Sequence, residues 1–163
     1  LVAATNPCPC GGNERGTCSC PPSARERYVR RFSGPLLDRF DLRVHLARPS
    51  TAELTSSQPG ECSAFVAERV MRVREISLAR QGVLNSAITA DMLEEVAPLT
   101  EDAMNVLRAK LDIGVLTGRG YHRVRRVART LADMHGCTGI IDSEWVETAL
   151  TLRSKVESGV VFQ

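Results

Sequence analysis

The chain has 163 residues, of which 43% are hydrophobic and 25% are charged, and its formal net charge is +2; these values are those of an ordinary soluble globular protein. The small net charge indicates no particular partner, and the lack of any apolar stretch of roughly 18 residues excludes a transmembrane helix, so no membrane partner is expected. Since no basic segment followed by an apolar run marks a secretory signal, we expect a cytoplasmic protein, and we interpret the start at Leu1 as that of a piece of a longer protein.

The first predicted element is a short buried strand. Small apolar residues at positions 1–5 are followed by Asn6 and Pro7, and a proline ends such a strand. Asn6 then lies at the carboxyl end of the strand, the edge at which open α/β sheets bind ligands. An asparagine there can orient a water molecule or a phosphate oxygen, and an asparagine that only begins a turn before proline is an equally good interpretation.

A loop with four cysteines follows the strand. Its prolines and glycines offer little apolar material to hold it together. Four thiolates can hold it by closing tetrahedrally on Zn²⁺, and in a cytosolic chain paired cysteines favour metal or redox chemistry over structural disulfides. Because the C-x-C spacing strains the chelate, reversible disulfides and unligated thiols stay open as alternatives. The four are Cys8, Cys10, Cys18 and Cys20, whereas Cys62 and Cys137 are isolated and expected to be buried.

A helix is predicted over residues 23–32. It begins with a capping box, in which Ser23 is the N-cap and Glu26 occupies N3. The helix carries several arginines that can contact nucleic acid or a neighbouring subunit. A solvated basic face is the default interpretation of such a helix.

Arg39 lies between a short helical turn and a second predicted strand. Pro35 suits the first turn of that helix, and apolar residues alternate with polar ones over 40–46, which is the period of a half-buried strand. Arg39 is therefore expected on a rigid corner with its guanidinium outward, where it can bind a phosphate in bidentate geometry. Taken alone, the pattern is explained more simply by a surface arginine paired with Asp38 or Asp41.

The remainder of the chain is predicted to be helical. Residues 50–60 are rich in Ser, Thr and Pro and predict a linker. Helical spacing and capping residues predict a helix over 61–80 that ends at Gly82, followed by helices capped by Thr89, Thr100, Thr117 and Asp142. The tail, 156–163, is expected to fray.

The helix that follows Thr117 carries a second signal for anion binding. The free backbone N–H groups and the helix dipole favour an anion at its amino end, and Arg119 adds a full charge there. Arg119, Arg123 and Arg126 form a short stripe, while Arg125 and Arg129 lie on another face. A solvated basic face is the commoner fate of such a run, and DNA binding by this helix lacks support from a known motif.

Taken together, these motifs resemble the magnesium-chelatase-like AAA+ ATPases of the ComM/YifB type. Each motif is weak alone, but the ordered set is specific and covers nearly the whole chain. The motifs are Asn6-Pro7-Cys8-Pro9-Cys10-Gly11, Cys18-Ser19-Cys20, Ser33-Gly34-Pro35-Leu36-Leu37-Asp38-Arg39-Phe40-Asp41 and Gly118-Arg119-Gly120-Tyr121-His122-Arg123.

The resemblance implies a fold and a set of residue roles. Residues 1–49 would be the carboxyl-terminal end of an AAA+ P-loop α/β core, an α/β remnant with two strands and the Cys-rich loop, and 61–155 an all-α lid bundle of the Mg-chelatase C-terminal type. Asn6 would be sensor 1, which polarises the attacking water, and Arg39 an arginine finger that acts in trans on the ATP of a neighbouring subunit. Arg119 would be sensor 2, with Arg123 as the alternative.

The resemblance also implies a function. The chain would be the carboxyl-terminal part of a hexameric, ATP- and Mg²⁺-dependent motor that acts on DNA in branch migration during recombination or natural transformation. The sequence has no G-x-x-x-x-G-K-[ST] loop and no apolar run ending in Asp-Glu, so the fragment alone is expected to be inactive. The alternatives are a chelatase-type motor that acts on a protein partner, which the four-cysteine loop disfavours, and a non-catalytic, zinc-stabilised nucleic-acid-binding helical module.

Overall fold

The computed structural model describes residues 1–6, 8–11, 18–32, 34–47 and 49–154. None of the helices in these ranges is long and apolar enough to cross a membrane. Two compact units are present, Leu1–His45 with Leu152–Gln163, and Leu46–Thr151. The elements are α1 (Pro22–Val29), α2 (Gly34–Leu37), α3 (Thr51–Thr55), α4 (Ser63–Gln81), a 3-10 helix (Asn85–Ala87), α5 (Leu93–Val96), α6 (Glu101–Asp112), α7 (Gly118–Met134) and α8 (Ser143–Ser154).

The second unit is organised around α7. This helix packs against α4, the 3-10 helix, α5 and α6, and small and branched apolar side chains on its inner face repeat at helical spacing. Leu93 and Leu107 from the neighbouring helices are fully buried against it. Ile141 and Val146, which flank the start of α8, also belong to this core, since both are fully buried.

Capping residues explain where two helices of the second unit begin and where a third one ends. The Thr100 hydroxyl accepts a hydrogen bond from the Ala103 N–H at 3.3 Å, and the Thr117 hydroxyl accepts one from Gly120 at 2.9 Å, as predicted. Gly82 ends α4 with a φ of 74°, a left-handed conformation that favours glycine.

Three local predictions are wrong. The N-cap of α1 is Pro21 without a side-chain hydrogen bond, because proline suits the first helical positions and shifts the start ahead of Ser23. The N-cap of α5 is Met92 rather than Thr89. The segment expected as a linker contains α3, which has its own capping box between Ser50 and Glu53.

The two predicted strands are absent from the described residues, where 1–6 and 40–47 pair with no strand. A strand requires a neighbouring strand to complete its hydrogen-bond ladder. In the second segment the Arg43 N–H instead donates to the carbonyl oxygen of Leu152 in α8, at 2.9 Å. Leu42, Val44 and Leu46, the expected inner face, are 48%, 61% and 84% exposed. The described chain is therefore mostly helical.

Several predictions concern residues outside the described ranges. These are the strand-ending Pro7, the glycine-rich part of the cysteine loop at 12–17, Ser33 of the arginine motif, and the tail at 156–163 together with the expected boundary at 155.

Two arginines of α7 that the sequence placed on a polar face are buried. Arg125 donates to the carbonyl oxygens of Leu93 and Ala97, at 2.9 and 2.8 Å. Arg129 and Asp133 form an ion pair at 3.0 Å, and both side chains are 0% exposed. These arginines therefore donate hydrogen bonds to backbone carbonyl oxygens and pair with an acidic side chain inside the helical unit. A buried cation needs such partners.

Asp133 is the centre of this buried polar cluster. Two nitrogens of Arg80 donate to its carboxylate at 2.6 and 2.9 Å, and the Asn85 amide donates at 2.8 Å. Burial alone would raise the pKa of Asp133, but these hydrogen bonds and the charge of Arg129 outweigh it, so the pKa is lowered. The ionised form is therefore the one that stabilises the fold.

We expect the free energy of unfolding of the chain to decrease in acid, because Asp133 becomes protonated. A carboxyl with a depressed folded pKa contributes stability above its unfolded pKa, about 3.9, and this contribution is lost as the pH falls through the folded value. Removing one partner of a buried ion pair costs about 3–5 kcal/mol, so Asp133→Asn should lose this much at pH 7. Urea unfolding between pH 7 and pH 2 measures both effects. Equal free energies of unfolding for the two proteins at pH 7 would contradict this assignment.

Candidate functional site

The first unit brings four cysteines into one cluster. Their Sγ atoms all lie within 4.8 Å of one another. The Sγ of Cys8 lies 3.3 Å from that of Cys10 and 3.6 Å from that of Cys18, and the Cys10–Cys18 distance is 3.7 Å. A tetrahedral zinc with bonds of about 2.3 Å holds its sulfur ligands about 3.8 Å apart. The fourth member, Cys20, completes a donor set that fits Zn²⁺.

A tight turn folds the amino-terminal half of this cluster. The Gly11 N–H donates to the Cys8 carbonyl oxygen at 3.0 Å, and Gly11 has a φ of 74°, which costs a glycine little. A Cβ at this glycine would lie 3.6 Å from Nδ2 of Asn6. The side chain of Asn6 therefore lies directly beside the turn of the cysteine loop.

Two thiols of the cluster, those of Cys8 and Cys20, have a raised pKa and hold their protons strongly. Burial, followed by hydrogen bonds with Cys10 and Cys18, raises the pKa of Cys8. A hydrogen bond with Cys10, followed by burial, raises the pKa of Cys20 to about 12. A metal ion must displace these protons, so metal binding at this cluster weakens as the pH falls.

All six cysteines of the chain are described, and none forms a disulfide. The sulfur separations in the cluster are longer than the roughly 2.05 Å of a disulfide bond, so reversible disulfides are not formed here. Cys62 and Cys137 are exposed, which corrects the expectation that they are buried.

The predicted sensor residue Asn6 is anchored through its backbone. The Tyr28 hydroxyl on α1 donates to the Asn6 carbonyl oxygen at 2.9 Å and lies 2.6 Å from the hydroxyl of Thr5. The Tyr28 ring packs edge-on against Phe32 at a centroid distance of 5.4 Å. Helix α1 thus fixes the segment that leads into the cysteine loop, and the Asn6 side chain stays exposed.

Arg39 follows α2 and is exposed. Its guanidinium donates to the Pro35 carbonyl oxygen at 2.9 Å, and within the described residues it forms no ion pair with a carboxylate. Asp38, which the simpler interpretation paired with it, instead pairs with Arg153. Among the described residues, the exposed Arg39 guanidinium therefore has no neutralising carboxylate partner, as a phosphate-binding arginine requires.

Arg119 and Arg123 lie at the amino end of α7, in the second unit. Arg119 is exposed and makes no hydrogen bond or ion pair within the described ranges, whereas Arg123 is half-buried. The Thr117 hydroxyl accepts a hydrogen bond from the Gly120 N–H. The backbone N–H groups before Gly120 have no acceptor within the helix, and such groups favour an anion. Asn6, Arg39 and the cysteines belong to the first unit, so the predicted site residues divide between the two units.

Sequence reasoning missed two buried arginines near Arg39. Arg43 and Arg153 are 8% and 7% exposed, although Arg43 was taken as a polar residue of a strand and Arg153 as the end of a helix before a frayed tail. The one available signal was that none of the four residues before Arg153 is acidic. That signal is too weak to indicate burial.

Comparison with known protein families gives two matches that follow one another along the chain. Residues 1–54 match the family described as magnesium chelatase, subunit ChlI. Residues 60–153 match the family described as magnesium chelatase, subunit ChlI C-terminal.

Similar proteins are found in several bacteria. The chain is 37% identical to the uncharacterized protein YifB of Escherichia coli over 156 residues, 94% of this chain and 30% of that protein. It is 37% identical to the competence protein ComM of Haemophilus influenzae over 158 residues, 96% of this chain and 31% of that protein. An uncharacterized protein of Mycobacterium bovis is 39% identical over 142 residues, 85% of this chain and 28% of that protein. The chain thus spans less than a third of the length of these relatives.

Proposed function

Because the chain belongs to the family of magnesium chelatase subunit ChlI, we propose that it is the carboxyl-terminal part of a ring-forming AAA+ ATPase that acts on DNA. The competence protein ComM is among its relatives. The chain would supply sensor 1, the trans-acting arginine finger and sensor 2. It has no G-x-x-x-x-G-K-[ST] loop, so the proposal requires a phosphate-binding loop and Mg²⁺ ligands elsewhere in the protein.

The observation that carries the proposal is the state of Arg39. Its guanidinium is exposed, it donates to a backbone carbonyl, and it has no carboxylate partner within the described residues. Its one acidic neighbour on the amino-terminal side, Asp38, is engaged by another arginine. An arginine kept charged and available on an anchored loop fits a phosphate that another subunit presents.

The roles follow from the chemistry of phosphoryl transfer, in which catalysis consists mostly of positioning and charge stabilisation. Asn6 would hold the attacking water by its amide, while the Tyr28 hydroxyl holds its backbone carbonyl. Arg39 would stabilise the charge that develops on the phosphoryl oxygens of the neighbouring subunit. Arg119, or Arg123 one turn later, would contact the γ-phosphate of its own subunit, and Mg²⁺ would neutralise the phosphates when bound.

The experiment that tests the proposal compares two activities of the full-length protein. A DNA-acting motor should hydrolyse ATP and move a branched DNA junction. A chelatase-type motor acting on a protein partner, which the family description suggests, should instead stimulate metal insertion by that partner. A full-length protein without a phosphate-binding loop, or without ATP turnover, would leave only the non-catalytic nucleic-acid-binding module.

We also propose that Cys8, Cys10, Cys18 and Cys20 hold one structural Zn²⁺, since their sulfur positions fit a tetrahedral site. The loop between the cysteine pairs has few apolar residues, so metal binding would contribute folding free energy to the first unit. The site would stabilise the segment that carries Asn6 rather than take part in ATP hydrolysis.

The expected result is one zinc per chain in the purified protein. Cys18→Ser should lose the metal, because a closed structural site needs all four ligands, whereas Cys62→Ser, a change at an exposed cysteine, should keep it. With free zinc at 1,000 times its dissociation constant the metal-bound fold gains about 4 kcal/mol, which thermal unfolding will show for the wild type and not for Cys18→Ser. Equal zinc contents of the two variants would refute the site.

A further inference from the structure

The backbone on both sides of Arg39 is held by one arginine from α8. Nη1 of Arg153 donates to the Phe40 carbonyl oxygen at 2.7 Å, and Nη2 donates to the Asp38 carbonyl oxygen at 3.2 Å. The same Nη2 forms an ion pair with the Asp38 carboxylate. The two carbonyl groups flank Arg39 in sequence, so one guanidinium holds the peptide unit that precedes Arg39 and the one that follows Phe40.

This arrangement is buried and has a second member. Arg153 is 7% exposed and Arg43 is 8% exposed. Arg43 donates through Nη2 to the carbonyl oxygen of Leu37 at 3.1 Å, which also accepts a hydrogen bond from the Phe40 N–H at 3.1 Å. Its backbone N–H donates to Leu152 at 2.9 Å. Both side chains are buried, and each donates to backbone carbonyl oxygens of the loop around Arg39.

The engagement of Asp38 has an electrostatic consequence for Arg39. Adjacent opposite charges attract, and a carboxylate on Arg39 would neutralise it before it meets a phosphate. The side chain of Asp38 is only 20% exposed and is paired with Arg153, so it does not compete with a phosphate for the Arg39 guanidinium. Arg153 therefore does two things at once: it holds the backbone of the loop, and it pairs with the carboxylate of the residue that precedes Arg39.

We propose that Arg153 is a positioning residue for Arg39, holding the arginine finger ready for the phosphate of a neighbouring subunit. This inference rests on the proposed function. Arg153 does not touch the phosphate itself. Its planar fork suits the two carbonyls and the carboxylate together, a geometry that a lysine ammonium on a flexible stem does not reproduce.

The test measures steady-state ATP turnover and ATP binding of the full-length protein with Arg153→Ala and Arg153→Lys. A displacement of about 1 Å in a catalytic group costs about 10²-fold in rate, so Arg153→Ala should lower kcat by about this factor and leave the affinity for ATP unchanged. Arg153→Lys should recover part of the loss, because the ammonium can still pair with Asp38. Arg108→Ala, which removes an exposed arginine also paired with a carboxylate, is the matched control and should keep wild-type turnover.

A double-mutant cycle separates positioning from a general structural role. If Arg153 acts through Arg39, adding Arg153→Ala to Arg39→Ala should lower kcat no further. The inference is overturned if Arg153→Ala keeps kcat within about twofold of wild type, or if it costs the same factor with and without Arg39. If Arg153→Ala does not fold, the same double-mutant cycle with Arg39→Ala is measured with Arg153→Lys and with Asp38→Asn in its place. Unchanged turnover in Arg39→Ala itself would instead refute the proposed function.

Discussion

Arg39→Ala in the full-length protein should abolish most ATP turnover while leaving ATP binding intact. An arginine finger contributes about 10³–10⁵-fold to the rate of phosphoryl transfer. Because Arg39 would act on the nucleotide of a neighbouring subunit, its removal takes away no contact within its own nucleotide site. The expected result is therefore a kcat lower by at least about 10³-fold with an ATP affinity within error of wild type.

The control for this prediction is another exposed arginine of the same unit. Arg30 lies at the end of α1 and pairs with Glu26 at 2.7 Å, with both side chains largely exposed. Such surface pairs contribute little to stability, so Arg30→Ala should have wild-type turnover. If Arg39→Ala turns over ATP as fast as Arg30→Ala, Arg39 is an ordinary surface residue.

Asn6→Ala is expected to give the second largest loss. Removing one polar group that stabilises a transition state costs about 10²–10³-fold in kcat, and the amide of Asn6 is the group proposed to hold the attacking water. ATP binding should persist, because the phosphates are proposed to be held elsewhere. Single-turnover hydrolysis with saturating ATP measures the chemical step directly.

An asparagine outside the proposed site provides the control for this prediction. Asn105 is also exposed, but it lies on α6 and not in the segment that the Tyr28 hydroxyl anchors at the Asn6 carbonyl. Asn105→Ala should therefore match wild type in the same assay. A single-turnover rate for Asn6→Ala that equals that of Asn105→Ala would return Asn6 to the simpler interpretation, an asparagine before a proline turn.

The helical unit was largely predictable because its signals are local. Thr100 and Thr117 cap their helices as predicted, since a capping hydroxyl needs only its own first turn. The buried faces of α6 and α7 follow from apolar residues at helical spacing. The burial of Arg125 was not predictable, because its carbonyl partners in Leu93 and Ala97 lie 32 and 28 positions away and only the tertiary fold brings them near.

The first unit was less predictable for the same physical reason. Alternation over residues 40–46 indicates a strand, but a strand exists only with a partner, and within the described residues the backbone of Arg43 bonds to α8. The cysteine cluster, in contrast, was visible in the sequence, because four ligands close together in the chain need only a turn to converge. The state of Arg39 depends on Arg153, over one hundred positions away in sequence, and no local pattern reports it.

The most direct test of the central claim, that Arg39 acts in trans, is a subunit-mixing experiment with the full-length protein. One variant carries Arg39→Ala with an intact nucleotide site, and the other carries Arg39 with a phosphate-binding loop that has lost its lysine. Each variant alone should be nearly inactive. If Arg39 serves the neighbouring subunit, co-assembled rings should regain ATP turnover well above the sum of the two. A mixture that is no more active than that sum, with mixed rings formed, would contradict the account.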